Sequence, residues 1–183
     1  MTPDLEWYEH LRQQHRPANV RVLLIGESAP DPGAKQRRFF YAPTLDRRDN
    51  LFRGVVAAFY NAKPGVAGDA KKPWLDKLVA NGVFLIDLVP YPVDKLGSKD
   101  RATARRDHAA TCVEVARVIA PAGIIVCHTP SFDVLEKPLR AAKLPLLHDA
   151  AIPFPLGNHR AQFVRATKTA LERLSSGAGS PLS

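Results

Sequence analysis

The chain contains only two cysteines and one methionine among its 183 residues. Cys112 and Cys127 stand alone in the sequence, without the paired spacing that metal-binding cysteines show. We therefore interpret both as reduced, buried thiols. The sequence predicts neither a metal ion nor a cofactor.

Long apolar runs are also missing. No stretch approaches the ~18 consecutive apolar residues that a membrane-spanning helix requires. Residues 1–6 lack the basic and apolar regions of a signal peptide, and the sequence contains no internal repeats. We therefore expect a cytoplasmic, monomeric protein without a membrane partner.

Acidic residues are too few to balance the basic ones, and the formal net charge is +8 at pH 7. This excess favours an anionic partner, with nucleic acid first, although a basic surface can also serve solubility alone. The hydrophobic content of 45% is ordinary for a globular protein. We predict one domain over residues 1–174 and a flexible tail over residues 175–183.

Short apolar runs alternate with segments of helical periodicity along the chain. The expected strands cover residues 20–25, 83–88, 123–127 and 144–148. Helical segments separate them, and such an alternation predicts parallel strands with right-handed connections. The predicted fold is therefore α/β, a three-layer αβα sandwich with a four-stranded parallel sheet.

Polar residues and prolines follow the strands where ligands usually bind in α/β folds. The first strand ends within Val22-Leu-Leu-Ile-Gly-Glu-Ser-Ala-Pro30, and a loop of more than twenty residues extends from Gly26 to about Arg48, which indicates a functional loop. The second strand ends near Asp87. The fourth is followed by Ile152-Pro-Phe-Pro-Leu-Gly-Asn-His-Arg160. Parallel strand ends share one edge, so these segments are expected to meet.

In this order, the three segments resemble the motifs of the uracil-DNA glycosylase superfamily, over about residues 20–174. Gly26-Glu27-Ser28-Ala29-Pro30 is similar to a strand-end loop that reads Gly-Glu-Ala-Pro-Gly in several branches. Asp87 stands where the family has an asparagine that reads the pyrimidine edge. Pro153-Phe154-Pro155 occupies the position of the His-Pro-Ser-Pro loop, with Ile152 in place of its histidine.

The resemblance implies hydrolysis of the N-glycosidic bond of a damaged or deaminated base, uracil or a related one, in DNA. It implies a catalytic role for Glu27, whose carboxylate stabilises positive charge on the deoxyribose, and His159 is the candidate donor to the departing base. In the family, a phenylalanine that follows the strand-end loop in the sequence stacks against the flipped base, and Phe40 lies at the matching sequence separation. The implied site residues are, for the substrate, Gly26, Ser28, Phe40, Asp87 and Asn158 and, for the DNA backbone, Pro153, Pro155, Arg160 and Arg38. With two cysteines, the iron–sulfur cluster of some branches is excluded.

Two other functions stay open at this point. The same fold can serve as a nucleic-acid-binding module without activity. An open pocket around Glu27 and Phe40 favours the enzyme, whereas a pocket filled by Phe39 or Tyr41 favours the module. The third possibility is a serine ester hydrolase with Ser28 as nucleophile, which requires a histidine and an acid such as His159 and Asp149.

Structural roles are also weighed for several of the polar residues. Asp87 can cap the turn at Pro90, and His128 is interpreted as structural. The pairs Lys71-Lys72 and Arg105-Arg106 are expected to lie on solvated helix or loop surfaces.

Overall fold

The computed structural model describes residues 5–31 and 38–177 of the 183-residue chain. Within these residues, helices and parallel strands alternate as the apolar pattern predicts. A short 3₁₀ turn (Gly157–His159) leads into the last helix. The elements are α1 (Leu5–Gln14), β1 (Val22–Gly26), α2 (Asn50–Tyr60), α3 (Lys72–Ala80), β2 (Val83–Asp87), α4 (Ser98–Ile119), β3 (Gly123–Val126), α5 (Thr129–Ala141) and α6 (Arg160–Gly177).

The three strands form a parallel sheet in the order β2-β1-β3. In this register Val22 lies between Val83 and Gly123, and Gly26 lies beside Asp87. The four residues 22–25 are all fully buried. Since successive strand residues point to opposite faces, both faces of the sheet are covered. The α/β class and the parallel sheet are therefore confirmed.

The fourth predicted strand, over residues 144–148, is reduced to one parallel bridge between Ile124 and Leu146. Ile124 N–H donates to the Pro145 carbonyl, and Leu147 N–H donates back to the Ile124 carbonyl. The next outward N–H of β3, that of Val126, donates to Nε2 of the His148 side chain at 3.0 Å. An imidazole thus takes the place of a strand backbone, and the sheet described has three strands instead of four.

His148 has both ring nitrogens engaged. Nδ1 lies 2.8 Å from the Ala150 carbonyl and therefore carries the proton, while Nε2 accepts from Val126. The residue is buried, and burial lowers its pKa because the charged ring would lose its hydration. A neutral His148 is therefore part of the native hydrogen-bond network.

We expect His148→Ala to lower the free energy of unfolding by about 1–3 kcal/mol, because Val126 N–H would lose its acceptor. His148→Gln, which keeps an acceptor oxygen, should lose less. The folded-state pKa lies below the unfolded value of about 6.5, so the contribution of His148 is complete above that pH and declines as the pH falls below it. Urea unfolding at pH 7.5 and 5.5 measures the loss of stability and its pH dependence. An equal pH dependence in wild type and His148→Ala would contradict the predicted decline of the His148 contribution at low pH.

The opposite edge of the sheet is also held by a side chain. The Tyr41 hydroxyl accepts a hydrogen bond from Leu85 N–H at 2.7 Å and lies 3.2 Å from the Leu85 carbonyl, to which it donates. Tyr41 belongs to the long loop between β1 and α2 and is buried. The loop is therefore attached to the middle of β2.

The ends of the chain differ in part from the prediction. Helix α1 begins at Leu5, the first residue described, and ends at Gln14. Residues 175–177, predicted as part of the tail, continue α6, and the Ser175 and Ser176 hydroxyls donate to carbonyls one turn earlier. Residues 178–183 of the predicted tail lie outside the described residues.

The cysteines are buried free thiols, as predicted. Burial raises the pKa of Cys112 and of Cys127 to about 12 in each case. Of the helices described, none combines the length and the apolar character that crossing a membrane demands.

Candidate functional site

A cavity of about 650 Å³ opens where the three parallel strands end. Its volume lies in the range of small-molecule pockets. It is bounded by the loop after β1, the segment before α2, the start of α5 and the segment before α6. The predicted site residues that line it are Gly26, Glu27, Ser28, Arg38, Phe40, Asp87, Pro153 and His159.

The remaining predicted site residues do not line the cavity. Asn158 and Arg160 are exposed, and Arg160 donates to the Asn50 side chain at 2.9 Å. Pro155 is buried against Gly54, where an added Cβ would lie 3.0 Å from the proline Cβ. Arg37, next to the predicted phosphate-binding Arg38, lies outside the described residues.

Glu27 is held by two arginines of α4. Arg101 binds one carboxylate oxygen and Arg105 the other, and only 12% of the Glu27 side chain is exposed. The sequence predicts Arg105 on a solvated surface, but its side chain is also 12% exposed, because it turns inward to Glu27. Burial alone would raise the pKa of Glu27, but Arg101, His128 and Arg105 together lower it below its usual value. Glu27 is therefore ionised at neutral pH.

Asp87 forms a second buried ion pair, with Arg12 of α1. Its Oδ2 accepts from Arg12 Nη2 at 2.7 Å, and its side chain is 6% exposed. Burial raises the pKa of Asp87, and Arg12 offsets this only in part. A Cβ on Gly26 would lie 3.0 Å from Asp87 Oδ1, so the glycine leaves room for the carboxylate.

Within the described residues, the Asp87 carboxylate binds Arg12, and no hydrogen bond joins it to the turn at Pro90 for which a capping role is considered. The amides of Leu88 and Val89 donate to the carbonyls of Gly26 and Glu27, so the backbone after β1 receives both of them. The Asp87 carboxylate therefore binds Arg12 and lines the cavity.

Aromatic residues form one wall of the cavity. Phe40 packs edge-to-face against Phe52, with ring centroids 5.2 Å apart. Tyr41 turns away from the cavity to bind β2, and the space beside Phe40 stays open. A planar ligand can therefore pack against the ring of Phe40.

Lys71 fixes the backbone that carries this wall. Its side chain is fully buried, which corrects the expectation of a solvated lysine. The ammonium lies 2.8 Å from Asp49 Oδ2, 2.8 Å from the Phe39 carbonyl and 3.3 Å from the Phe40 carbonyl. All three donors of the lysine thus have acceptors, which explains why it is tolerated in the core.

His128 lines the cavity at the end of β3, where the sequence suggested only a structural role. Its Nδ1 lies 2.9 Å from the Ser131 hydroxyl. Burial lowers the pKa of His128 and outweighs the opposite effect of Glu27, so the ring is neutral at pH 7. A neutral imidazole can donate or accept a proton from this position.

The residues of the ester hydrolase alternative are not assembled into a triad. The Ser28 hydroxyl accepts from Val93 N–H at 3.3 Å, and no hydrogen bond joins it to a histidine within residues 5–31 and 38–177. Asp149 instead binds Arg140 and Arg173, at 2.9 and 2.8 Å. Neither the nucleophile nor the acid has the partner that such chemistry requires.

The rim combines positive charge with exposed apolar side chains. Arg38 and Arg48 lie at the cavity, while Phe154 and Leu156 are 36% and 58% exposed. The described part of the chain holds no group of three or more histidine, cysteine or acidic residues suited to a metal ion.

Several residues of the site are not predicted by the sequence. The spacing of Arg101 and Arg105, four residues apart on one helix, was a usable signal, because it places both on one face. Nothing local marked Arg12 or Lys71, whose partners lie far away in sequence. Leu156 could have been found as an apolar residue within a proline-rich loop.

Comparison with known proteins does not assign the chain to a family. No family model matches it, and no curated protein sequence matches it. The resemblance to uracil-DNA glycosylases therefore depends on the three motifs in the sequence.

Proposed function

We propose that the protein is a DNA glycosylase with a uracil-DNA glycosylase-like three-layer fold, which hydrolyses the N-glycosidic bond of a damaged or deaminated base. The observation that carries this proposal is the open cavity shared by Glu27, Phe40 and Asp87 at the strand ends. It supplies a carboxylate, an aromatic wall and a polar group for the edge of a base. Uracil or a related base is the proposed substrate, and the reaction requires no cofactor.

The ionised Glu27 suits the charge that develops in this reaction. Breaking the bond between base and sugar gives an oxocarbenium-like transition state, with positive charge on the deoxyribose. A nearby carboxylate stabilises that charge and orients the attacking water. The low pKa of Glu27 keeps the carboxylate charged across the neutral range.

The other cavity residues suit the base. A base removed from the duplex packs against Phe40 with its polar edge towards Asp87. The departing base is anionic and requires donors, and His128 and His159 are the histidines of the cavity. Ile152, at the position of the family's histidine, is 1% exposed and does not line the cavity.

The rim suits the DNA around the extruded nucleotide. Arg38 and Arg48 provide charge for phosphates. The exposed Leu156 and Phe154 stand where an apolar side chain can enter the base stack and fill the space left by the flipped base. The open cavity favours the enzyme over the binding module, because Phe39 lines the cavity without closing it and Tyr41 does not line it.

A panel of oligonucleotides tests the proposal. Purified protein is incubated with single- and double-stranded DNA containing uracil, hypoxanthine, xanthine or alkylated bases, and alkali then cleaves any abasic site. We expect cleavage for at least one base, with Glu27→Gln purified in parallel to exclude a contaminating enzyme. DNA binding without base release from any substrate would favour the binding module instead.

Asp87→Asn is expected to shift the base preference towards uracil by about tenfold, because an amide both donates and accepts whereas a carboxylate only accepts. The ratio of single-turnover rates on uracil and on the best other base measures this shift. Asp94→Asn is the matched control, since Asp94 also lines the cavity but binds the Asp31 amide. An unchanged ratio in Asp87→Asn would show that Asp87 does not read the base.

A further inference from the structure

Both carboxylate oxygens of Glu27 are already bound by arginines. Arg101 Nη2 contacts Oε2 and Arg105 Nη1 contacts Oε1. Each oxygen keeps a second lone pair for a water molecule, but the two guanidinium groups lower the pKa of Glu27 and so weaken it as a base. Moving one arginine away would make Glu27 a stronger base for the attacking water.

The two arginines differ in how far a ligand can reach them. The Arg101 side chain is 32% exposed and lines the cavity, whereas Arg105 is 12% exposed and does not line it. Nε of each is buried without a hydrogen-bond partner among the described residues. Two guanidinium groups on one carboxylate also leave one positive charge uncompensated. Arg101 is thus a reachable cation beside the cavity.

A phosphodiester is the anion that fits Arg101 in this setting. A guanidinium binds phosphate oxygens in the same forked geometry that it uses for a carboxylate. Replacing the Glu27 oxygen by a phosphate oxygen therefore conserves the interactions of Arg101. It also relieves the excess charge that the two arginines share at Glu27.

We propose that Arg101 binds a phosphate of the DNA strand next to the target nucleotide and thereby releases Glu27 Oε2 for the attacking water. This inference rests on the proposed glycosylase function. Water oxygen bonds to C1′ while the C1′–N bond breaks, and the electron pair leaves with the base. The water proton passes to Glu27 Oε2 and from there to solvent. Arg105 stays on Oε1, so Arg101 is a phosphate-binding residue that also positions Glu27.

A cycle of one protein change and one DNA change tests the contact. An uncharged methylphosphonate replaces one phosphate at a time on either side of the target base. At one position it should slow base release by wild type about tenfold or more, and release by Arg101→Ala by less than about twofold. Arg106→Ala is the matched control, because Arg106 is exposed on the same helix, donates to the Thr103 hydroxyl and does not line the cavity. Equal effects in wild type and Arg101→Ala at every position would overturn the proposal.

The pH profile separates release of Glu27 from a merely structural Arg101. The charged or titratable groups that act on Glu27 are Arg101 and Arg105 of α4 and His128 after β3. If DNA removes Arg101 from Glu27, the acid limb of the single-turnover rate at saturating protein should coincide in wild type and Arg101→Ala. A limb at higher pH in the variant alone would show that Arg101 stays on Glu27 during the reaction.

The contact can be tested even if the glycosylase proposal fails. If wild type releases no base, wild type and Arg101→Ala are compared by their Kd for the unmodified and the methylphosphonate oligonucleotides. Loss of the methylphosphonate effect in Arg101→Ala would support the phosphate contact and reject only the chemistry. Equal effects on Kd in both proteins would reject the contact itself.

Discussion

Glu27→Gln is expected to reduce the single-turnover rate of base release by about 10²–10⁴-fold, without weakening DNA binding. The change removes the negative charge but keeps the size of the side chain. In the proposed reaction that charge acts on a positive sugar that exists only in the transition state, so the ground-state complex should persist. Rates at saturating protein and Kd from fluorescence anisotropy, both on the best substrate of the panel, measure the two quantities.

Glu114→Gln serves as the control for this variant. Glu114 is an exposed residue of α4 that pairs with Arg117, so its loss removes an acidic side chain from the same helix without touching the cavity. Thermal unfolding of both variants shows whether Arg105 tolerates the loss of its counterion. Full activity in a folded Glu27→Gln would show that Glu27 has no catalytic role.

Lys71→Met is expected to lower the free energy of unfolding by about 3–5 kcal/mol, because the buried Asp49 would lose its counterion. The carbonyls of Phe39 and Phe40 would lose their donor as well. Urea unfolding monitored by tryptophan fluorescence and by circular dichroism measures the change. Lys72→Met, next in sequence but exposed, should change stability by less than about 0.5 kcal/mol.

A double variant tests the cause of this loss. Asp49→Asn removes the buried charge but keeps an acceptor for the Asp46 amide, which now binds Asp49 Oδ2. Added to Lys71→Met, it should recover part of the lost stability, so that the two changes are not additive. A strictly additive pair would mean that the ion pair is not the reason for the effect.

The sequence predicts the sheet and the edge that carries the site because both follow from local patterns. Buried runs at residues 22–26 and 83–87 end in Gly26 and Asp87, and parallel pairing then places these two residues side by side. The position of the cavity follows from the same geometry, since parallel strands all end at one edge. Local sequence was sufficient for these features.

The partners of the site residues could not be predicted, because they are far apart along the chain. Glu27 meets Arg101 and Arg105 across 74 and 78 positions, and Asp87 meets Arg12 across 75. An exposed arginine and a buried one look alike in sequence. The fourth strand is predicted from the apolar residues around Pro145. These residues cannot show that the His148 side chain accepts the hydrogen bond of Val126 N–H in place of a strand backbone.

The side chains on the two outer strands also bear on self-association. A sheet edge with free N–H and C=O groups is a template for another chain, and a three-stranded sheet has two such edges. Tyr41 occupies the middle of β2, and His148 together with the segment at Pro145 occupies β3. The same loop segment carries Phe40 to the cavity and Tyr41 to β2, so displacing this segment would expose a strand edge at the same time. We therefore expect a change that displaces this segment to promote aggregation as well as to disturb the cavity.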